Sequence, residues 1–205
     1  MTPRDTVQQR IRGLYAIADA SLSPDVEAAA RALVAGGVRL MQVRCKDWPE
    51  DDVLRVVRAL VPACRAAGCT LIVNDHPAVA AAADADGVHV GPTDGAASEV
   101  RAIVGPDRIV GRSTGAADHP RPDLDADYLA FGPVFPTPRL SRPKEVVGLQ
   151  GLVRARAVVV GRPLVAIGGI TADNLGLVRA TGVDAWAVIG ALAGGDVAER
   201  VRALS

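Results

Sequence analysis

The segment Gln42-Val43-Arg44-Cys45-Lys46 places an amide donor and two cations at every second position. In an extended strand those three side chains share one side. A strand end presenting them suits a polyanion such as a diphosphate, with a solvated loop as the plainer alternative. Lysine is rare in this chain: of 23 basic residues only Lys46 and Lys144 are lysines. Asn74-Asp75 and the Asp94 of Gly91-Pro92-Thr93-Asp94 supply carboxylates. Two carboxylates are what Mg2+ asks of a protein when phosphate oxygens and waters complete its octahedron, although each string alone also suits a turn or cap. Farther along, Ile167-Gly168-Gly169-Ile170 and Ile189-Gly190 either bring backbone N–H groups close to a phosphate or simply make tight turns.

Other reactive side chains read as structural. His89 lies inside a strand pattern and suits a packed, hydrogen-bonded role, while His76 and His119 have no evident metal partner. No Ser–His–Asp or Cys–His arrangement emerges. Cys45 sits between two cations, which lower a thiol's pKa, but alternation turns its side chain away from theirs. Trp48 and Trp186 are too isolated to make a base-stacking platform.

Short apolar runs alternate with helical patterns along the whole chain. Residues 14–19, 40–44, 70–75, 87–91, 108–113, 128–135, 163–170 and 185–192 read as buried parallel strands. Helical spacing covers 26–34, 52–67, 152–160 and 175–180. Ser23-Pro24 suits a helix start, and Thr171 suits the cap of the helix after the seventh strand. Eight strand–helix units predict an α/β fold, a single (β/α)8 barrel over residues 1–205, with an open doubly wound sheet as the alternative. In such a barrel the carboxyl ends of the strands carry the site, and the candidates above fall there. Asp84 and Asp86 fall at the opposite end and read as structural. The loop after strand 6 runs from Gly132 to Gly148, long enough for a lid.

Composition narrows the function classes. With 23 basic and 23 acidic residues the net charge is zero, so nothing points to nucleic acid or an anionic membrane. Cys45, Cys64 and Cys69 lack CxxC spacing, which suits a reduced, cytoplasmic setting rather than a disulfide framework. The polar N-terminus has no signal-peptide core and no segment reaches membrane-span length. The expected partners are small phosphate and diphosphate substrates; a homo-oligomer stays open.

The strings LMQVRCKD, IVNDHPAVAAAADADGVHVGPTD, FGPVFPTP and VAIGGITADN resemble, in order and spacing, the motifs of the thiamine phosphate synthase family. That family joins an aminopyrimidine methyl diphosphate to a thiazole phosphate and releases diphosphate. The resemblance implies that Arg44, Lys46 and Ser113 are catalytic. Gln42, Arg44 and Lys46 would hold the pyrimidine diphosphate with Asn74, and Ser113 would touch the pyrimidine. Asp75 and Asp94 would bind Mg2+. Thr137 and its neighbour Arg139 would meet the thiazole phosphate, whose oxygens would rest on Gly169, Ile189 and Gly190.

The chain departs from the family pattern in four places. Leu140 stands where a lysine is expected, so Arg139, Arg142 or Lys144 is expected to supply that charge. Pro92 replaces a glutamine, Gly115 a histidine and Gly190 a serine. The related thiazole tautomerases resemble the chain at Gly111-Arg112-Ser113 but use a histidine near position 115. A non-catalytic phosphate-binding homologue is the third reading.

Overall fold

The computed structural model describes residues 3–92, 94–114, 125–137 and 145–205. Strands β1 (Gly13–Asp19), β2 (Leu40–Arg44), β3 (Thr70–Asn74), β4 (Gly87–Val90), β5 (Ile109–Thr114), β6 (Tyr128–Phe131), β7 (Leu164–Ile167) and β8 (Ala185–Val188) pair in parallel in chain order, and β8 closes on β1. The (β/α)8 barrel expected from the alternating pattern is therefore the fold, and the open sheet is set aside. Strands 6, 7 and 8 end earlier than their apolar runs. After Phe131 comes Gly132-Pro133, and proline has no N–H for the ladder. Gly168 and Gly169 turn the chain out of β7, and a single 3-10 turn, Gly190–Leu192, follows β8.

Helices α2 (Val26–Ala35), α3 (Glu50–Ala67), α4 (Pro77–Ala82), α5 (Ala97–Val104), α6 (Gly148–Val158), α7 (Leu175–Arg179) and α8 (Val197–Leu204) pack outside the sheet. In α3, Val53, Val56, Val57, Leu60, Val61 and Cys64 form the buried stripe, the i, i+3, i+4, i+7 pattern that helical spacing demands. Two expected caps differ. Asp25 rather than Ser23 caps α2, accepting from the Ala28 N–H at 2.9 Å, because its carboxylate sits one turn below that donor. Thr171 does not cap α7, which begins four residues later; its carbonyl accepts from the Leu175 N–H at 3.0 Å. Between β5 and β6, residues 115–124 lie outside the described residues, so the helix of that fifth strand–helix unit is not placed.

Helix α1 (Pro3–Arg10) precedes β1 and was not expected from its polar sequence. It is explained by tertiary packing. The fully buried Ile11, with Val7 beside it, joins Tyr15, Leu40, Ile72, Ile109, Tyr128 and Val165 in the core inside the barrel. A second, larger core lies between sheet and helices.

At the amino ends of the strands an aspartate recurs just before each of β4, β6 and β8. Asp86, Asp127 and Asp184 each accept a backbone N–H from the preceding strand, from Leu71 (2.8 Å), Val110 (2.8 Å) and Leu164 (2.8 Å). Each also pairs with an arginine from elsewhere in the chain: Arg10, Arg101 and Arg156 respectively. Asp84 binds Arg65 and Arg108 at the same end. These carboxylates pin strand starts to the helices.

Candidate active site at the carboxyl ends of the strands

Alternation aims Asp19, Gln42, Asn74, His89 and Ser113 inward at or near the carboxyl ends of β1 to β5. Asp19, 7 % exposed, was missed as a site residue; its signal was its position, the last inward residue of β1. It accepts from Arg44 Nη1 at 2.7 Å and from the Ser21 N–H at 2.9 Å. Burial alone would raise its pKa, but the Ser21 hydrogen bonds and the Arg44 charge prevail and hold it below the usual carboxylate range. Arg44 is thus fixed across β1 and β2, leaving part of its five-donor fork for another anion. Lys46 lies past the end of β2 in an exposed turn, so strand alternation orients Gln42 and Arg44 but stops short of Lys46.

Cys45 is buried on the outer side of the sheet, as alternation requires. Its neighbouring cations do not lower its pKa. Burial, then the Asp19 charge, push the thiol up to about 11 against the partial relief of Arg44.

Asp75 follows β3 with φ 60°, a left-handed conformation that costs a non-glycine residue about 1–2 kcal/mol. Its N–H donates to the His89 carbonyl at 2.9 Å, which locks the turn. The strain brings its carboxyl against that of Asp94, whose own Oδ2 accepts from the Gly91 N–H at 2.8 Å. Burial, then the Asp94 charge, raise the Asp75 pKa, with Asn74 and Arg44 offsetting part of the rise. Beside them Asn74 Nδ2 is buried and, among the described residues, makes no well-formed hydrogen bond, although it lies near enough to the Asp75 carboxyl to ease its charge. Such a donor costs about 1–3 kcal/mol unless something accepts from it.

Arg112 was not singled out from the sequence for a role of its own. It points outward from β5 and donates to the carbonyls of Gly95 and Pro92 (3.2 Å for the latter), gripping the Asp94 loop on both sides. Pro92, one of the four departures, keeps the carbonyl that this grip uses.

Within the barrel a hydrogen-bonded row links two candidates. Gln42 Nε2 donates to Tyr15 Oη (2.9 Å), which meets Tyr128 Oη (2.9 Å); His89 Nδ1 meets Tyr128 Oη (3.0 Å), and His89 Nε2 meets Ser113 Oγ (2.9 Å). Burial, only slightly opposed by Asp94, pulls the His89 pKa down to about 4 and leaves the ring neutral. Burial also holds both phenols protonated. Gly111 makes room for this row: a Cβ there would lie 2.0 Å from Tyr128 Cζ.

On the far side, the start of the loop after β6 is zipped to β7. Val134 and Phe135 N–H groups donate to the Ile167 and Gly168 carbonyls, each at 3.0 Å. Gly169 (φ 67°) fits because a Cβ would lie 2.7 Å from that of Phe135, so its glycine identity already has a packing cause. Thr137 is half-buried on this loop, Ile189 packs on the inner core, and Gly190 opens the 3-10 turn. Arg139, Arg142, Lys144 and Gly115 lie outside the described residues, so the replacement for the expected lysine is not placed.

The structure therefore brings Asp75 and Asp94 together, sets Arg44 and Asn74 close by, and joins Gln42 to Ser113. Among the described residues no group of three or more His, Cys, Asp or Glu side chains could hold a metal ion. For a divalent cation this end of the barrel offers the Asp75–Asp94 pair, which fits Mg2+ completed by ligand oxygens and water. No helix of the described residues is long and apolar enough to cross a membrane.

Residues 14–192 match the family model described as thiamine monophosphate synthase. The thiamine-phosphate synthase of Moorella thermoacetica is 41 % identical over 177 residues, 85 % of this chain and 84 % of that protein. That of Myxococcus xanthus is 41 % identical over 200 residues, 94 % of this chain and 90 % of that one. A thiamine phosphate pyrophosphorylase from Pyrococcus furiosus superposes with a TM-score of 0.85 at 34 % identity, covering 99 % of this chain and 96 % of its own.

Proposed function

From its place in the thiamine monophosphate synthase family, to which this chain belongs, we propose that the barrel is a transferase of thiamine biosynthesis. It couples 4-amino-2-methyl-5-(diphosphooxymethyl)pyrimidine to thiazole phosphate and yields thiamine monophosphate and diphosphate. The observation that carries this reading is the carboxylate pair, Asp75 against Asp94, beside Arg44 and the buried amide of Asn74.

Asp75 and Asp94 would hold Mg2+, whose charge, when bound, favours departure of the diphosphate. Arg44, already fixed by Asp19, spends its remaining donors on diphosphate oxygens. Lys46 adds a mobile cation from its turn, and Asn74 Nδ2 finds its acceptor there. Gln42 and Ser113 face the pyrimidine. The bond from its methylene carbon to diphosphate oxygen breaks with the electron pair leaving on oxygen, and the ring amino group stabilises the resulting cation. The thiazole nitrogen then donates its lone pair to that carbon. Such a step needs charge neutralisation more than a protein nucleophile. Thr137 and Arg139, with the backbone at Gly169, Ile189 and Gly190, would receive the thiazole phosphate. The three free cysteines, all buried, support a cytoplasmic setting.

The test is to incubate the protein with Mg2+ and both substrates and to follow products by phosphorus NMR. Thiamine monophosphate with one equivalent of diphosphate is expected. Isomerisation of the thiazole carboxylate phosphate alone would contradict the reading, and so would binding without turnover.

A further inference from the structure

We propose that Tyr15, Tyr128 and His89 form a hydrogen-bond relay of fixed direction that makes Ser113 a donor toward its ligand, with His89 as the positioning residue. The relay deepens the pyrimidine-binding role given to Ser113 above and rests on it. The number of hydrogens on the row fixes its direction. Each phenol carries one, and a neutral imidazole carries one. All four members from Gln42 to His89 are at most 8 % exposed, so water does not readily supply alternatives.

Gln42 turns its amide nitrogen toward Tyr15, so the Tyr15 oxygen accepts from it. The Tyr15 hydrogen then goes to the other neighbour of that oxygen, Tyr128 Oη. Tyr128 Oη, now accepting, donates its own hydrogen to His89 Nδ1. The ring nitrogens touch only a phenol and a hydroxyl, and a second proton, on Nδ1, would meet the hydrogen that Tyr128 already directs there. Its single hydrogen sits on Nε2 and points at Ser113 Oγ. With that oxygen accepting from His89, the Ser113 hydrogen is left to point elsewhere, toward an acceptor such as a pyrimidine ring nitrogen. Reversing any one link would set two hydrogens, or none, between a pair of atoms, a misfit costing about a whole hydrogen bond. The row therefore turns over as a unit or not at all, and the orientation of the Gln42 amide selects its sense.

The geometry around the row keeps it in place. The Tyr128 and His89 rings stack with centroids 5.5 Å apart and planes at 24°, and Tyr15 meets Tyr128 edge-on at 6.1 Å.

The experiment is nitrogen-15 NMR of the histidine-labelled full chain without substrates, with His89 assigned from the His89→Gln variant. The Nε2–H tautomer is expected; the Nδ1–H tautomer would overturn the relay. Because no turnover is needed, this result stands whether or not thiamine monophosphate forms. Kinetics then probe the positioning role. Glutamine places an amide donor where Nε2–H lies, so His89→Gln should keep KM for the pyrimidine diphosphate within about twofold, whereas His89→Asn should raise it about tenfold. Tyr128→Phe should likewise raise that KM about tenfold, leaving KM for the thiazole phosphate unchanged. Equal KM values in His89→Gln, His89→Asn and wild type would also overturn it.

Discussion

Aspartates at the two ends of the barrel meet opposite circumstances. At the amino ends of the strands, Asp86, Asp127 and Asp184 each hold a backbone N–H and an arginine. At the carboxyl ends, Asp75 is bent into a left-handed turn so that its carboxyl faces Asp94, another acid. The first arrangement satisfies each charge within the protein and ties strands to helices. The second sets two acids against each other on a strained turn, the kind of raised pKa and local strain that marks a functional-site candidate. Asp19 lies on the same end as Asp75 yet follows the first rule, because its task is to steady Arg44 rather than to meet a ligand.

Asp75→Asn breaks this contrast most sharply. Turnover should fall on the order of a hundred- to a thousandfold, while the metal-free protein becomes more stable. The sign follows from the raised pKa. For this group, stability is fully present below the unfolded aspartate pKa of about 3.9 and is lost as pH rises through the higher folded value. Wild type and Asp75→Asn should therefore melt alike at low pH and diverge as pH rises, with the variant higher; a lower melting temperature at neutral pH would contradict the account. Asp19, with its lowered pKa, behaves in the reverse sense: its contribution is present above the unfolded value and is lost as pH falls through the folded one.

Asp184→Ala should invert the result seen at Asp75. It strips the Leu164 N–H and Arg156 of their acceptor and should cost about 2 kcal/mol, or roughly 4–8 °C in Tm, with kcat of the folded enzyme unchanged. A large loss of kcat at full folding would erase the distinction between the ends. Arg112→Leu sharpens it further. Loosening the carbonyls that flank Asp94 should raise the Mg2+ concentration for half-maximal activity about tenfold with little effect on Tm. The smallest effect is at Cys45: its buried thiol, at about 11, should resist iodoacetamide at pH 8 in the folded protein despite the cations flanking it in sequence.

What the sequence made legible was whatever repeats with a fixed period. Eight apolar runs implied eight strands, and alternation within the second set Gln42 and Arg44 on one side, with Cys45 on the other. The α1 plug was hidden because its polar residues gain helicity only by docking Val7 and Ile11 against the barrel floor. Asp19 and Arg112 were hidden for a related reason. Their meaning lies in partners distant along the chain, a guanidinium 25 residues away for Asp19 and loop carbonyls for Arg112, and spacing along one strand, which sets the side that each faces, does not name those partners. Lys46 shows the limit of alternation itself, which ends where the strand ends.

The carboxylate pair is tested most directly by water-proton relaxation with Mn2+ in place of Mg2+ and inorganic diphosphate as the anion. Adding the wild-type protein to Mn2+–diphosphate should enhance relaxation as a slowly tumbling ternary complex forms, and Asp75→Asn and Asp94→Asn should each abolish the enhancement while Asp184→Ala retains it. Full enhancement with either carboxyl-end variant would show that the metal–diphosphate unit binds without this pair, and the account of the site would fall.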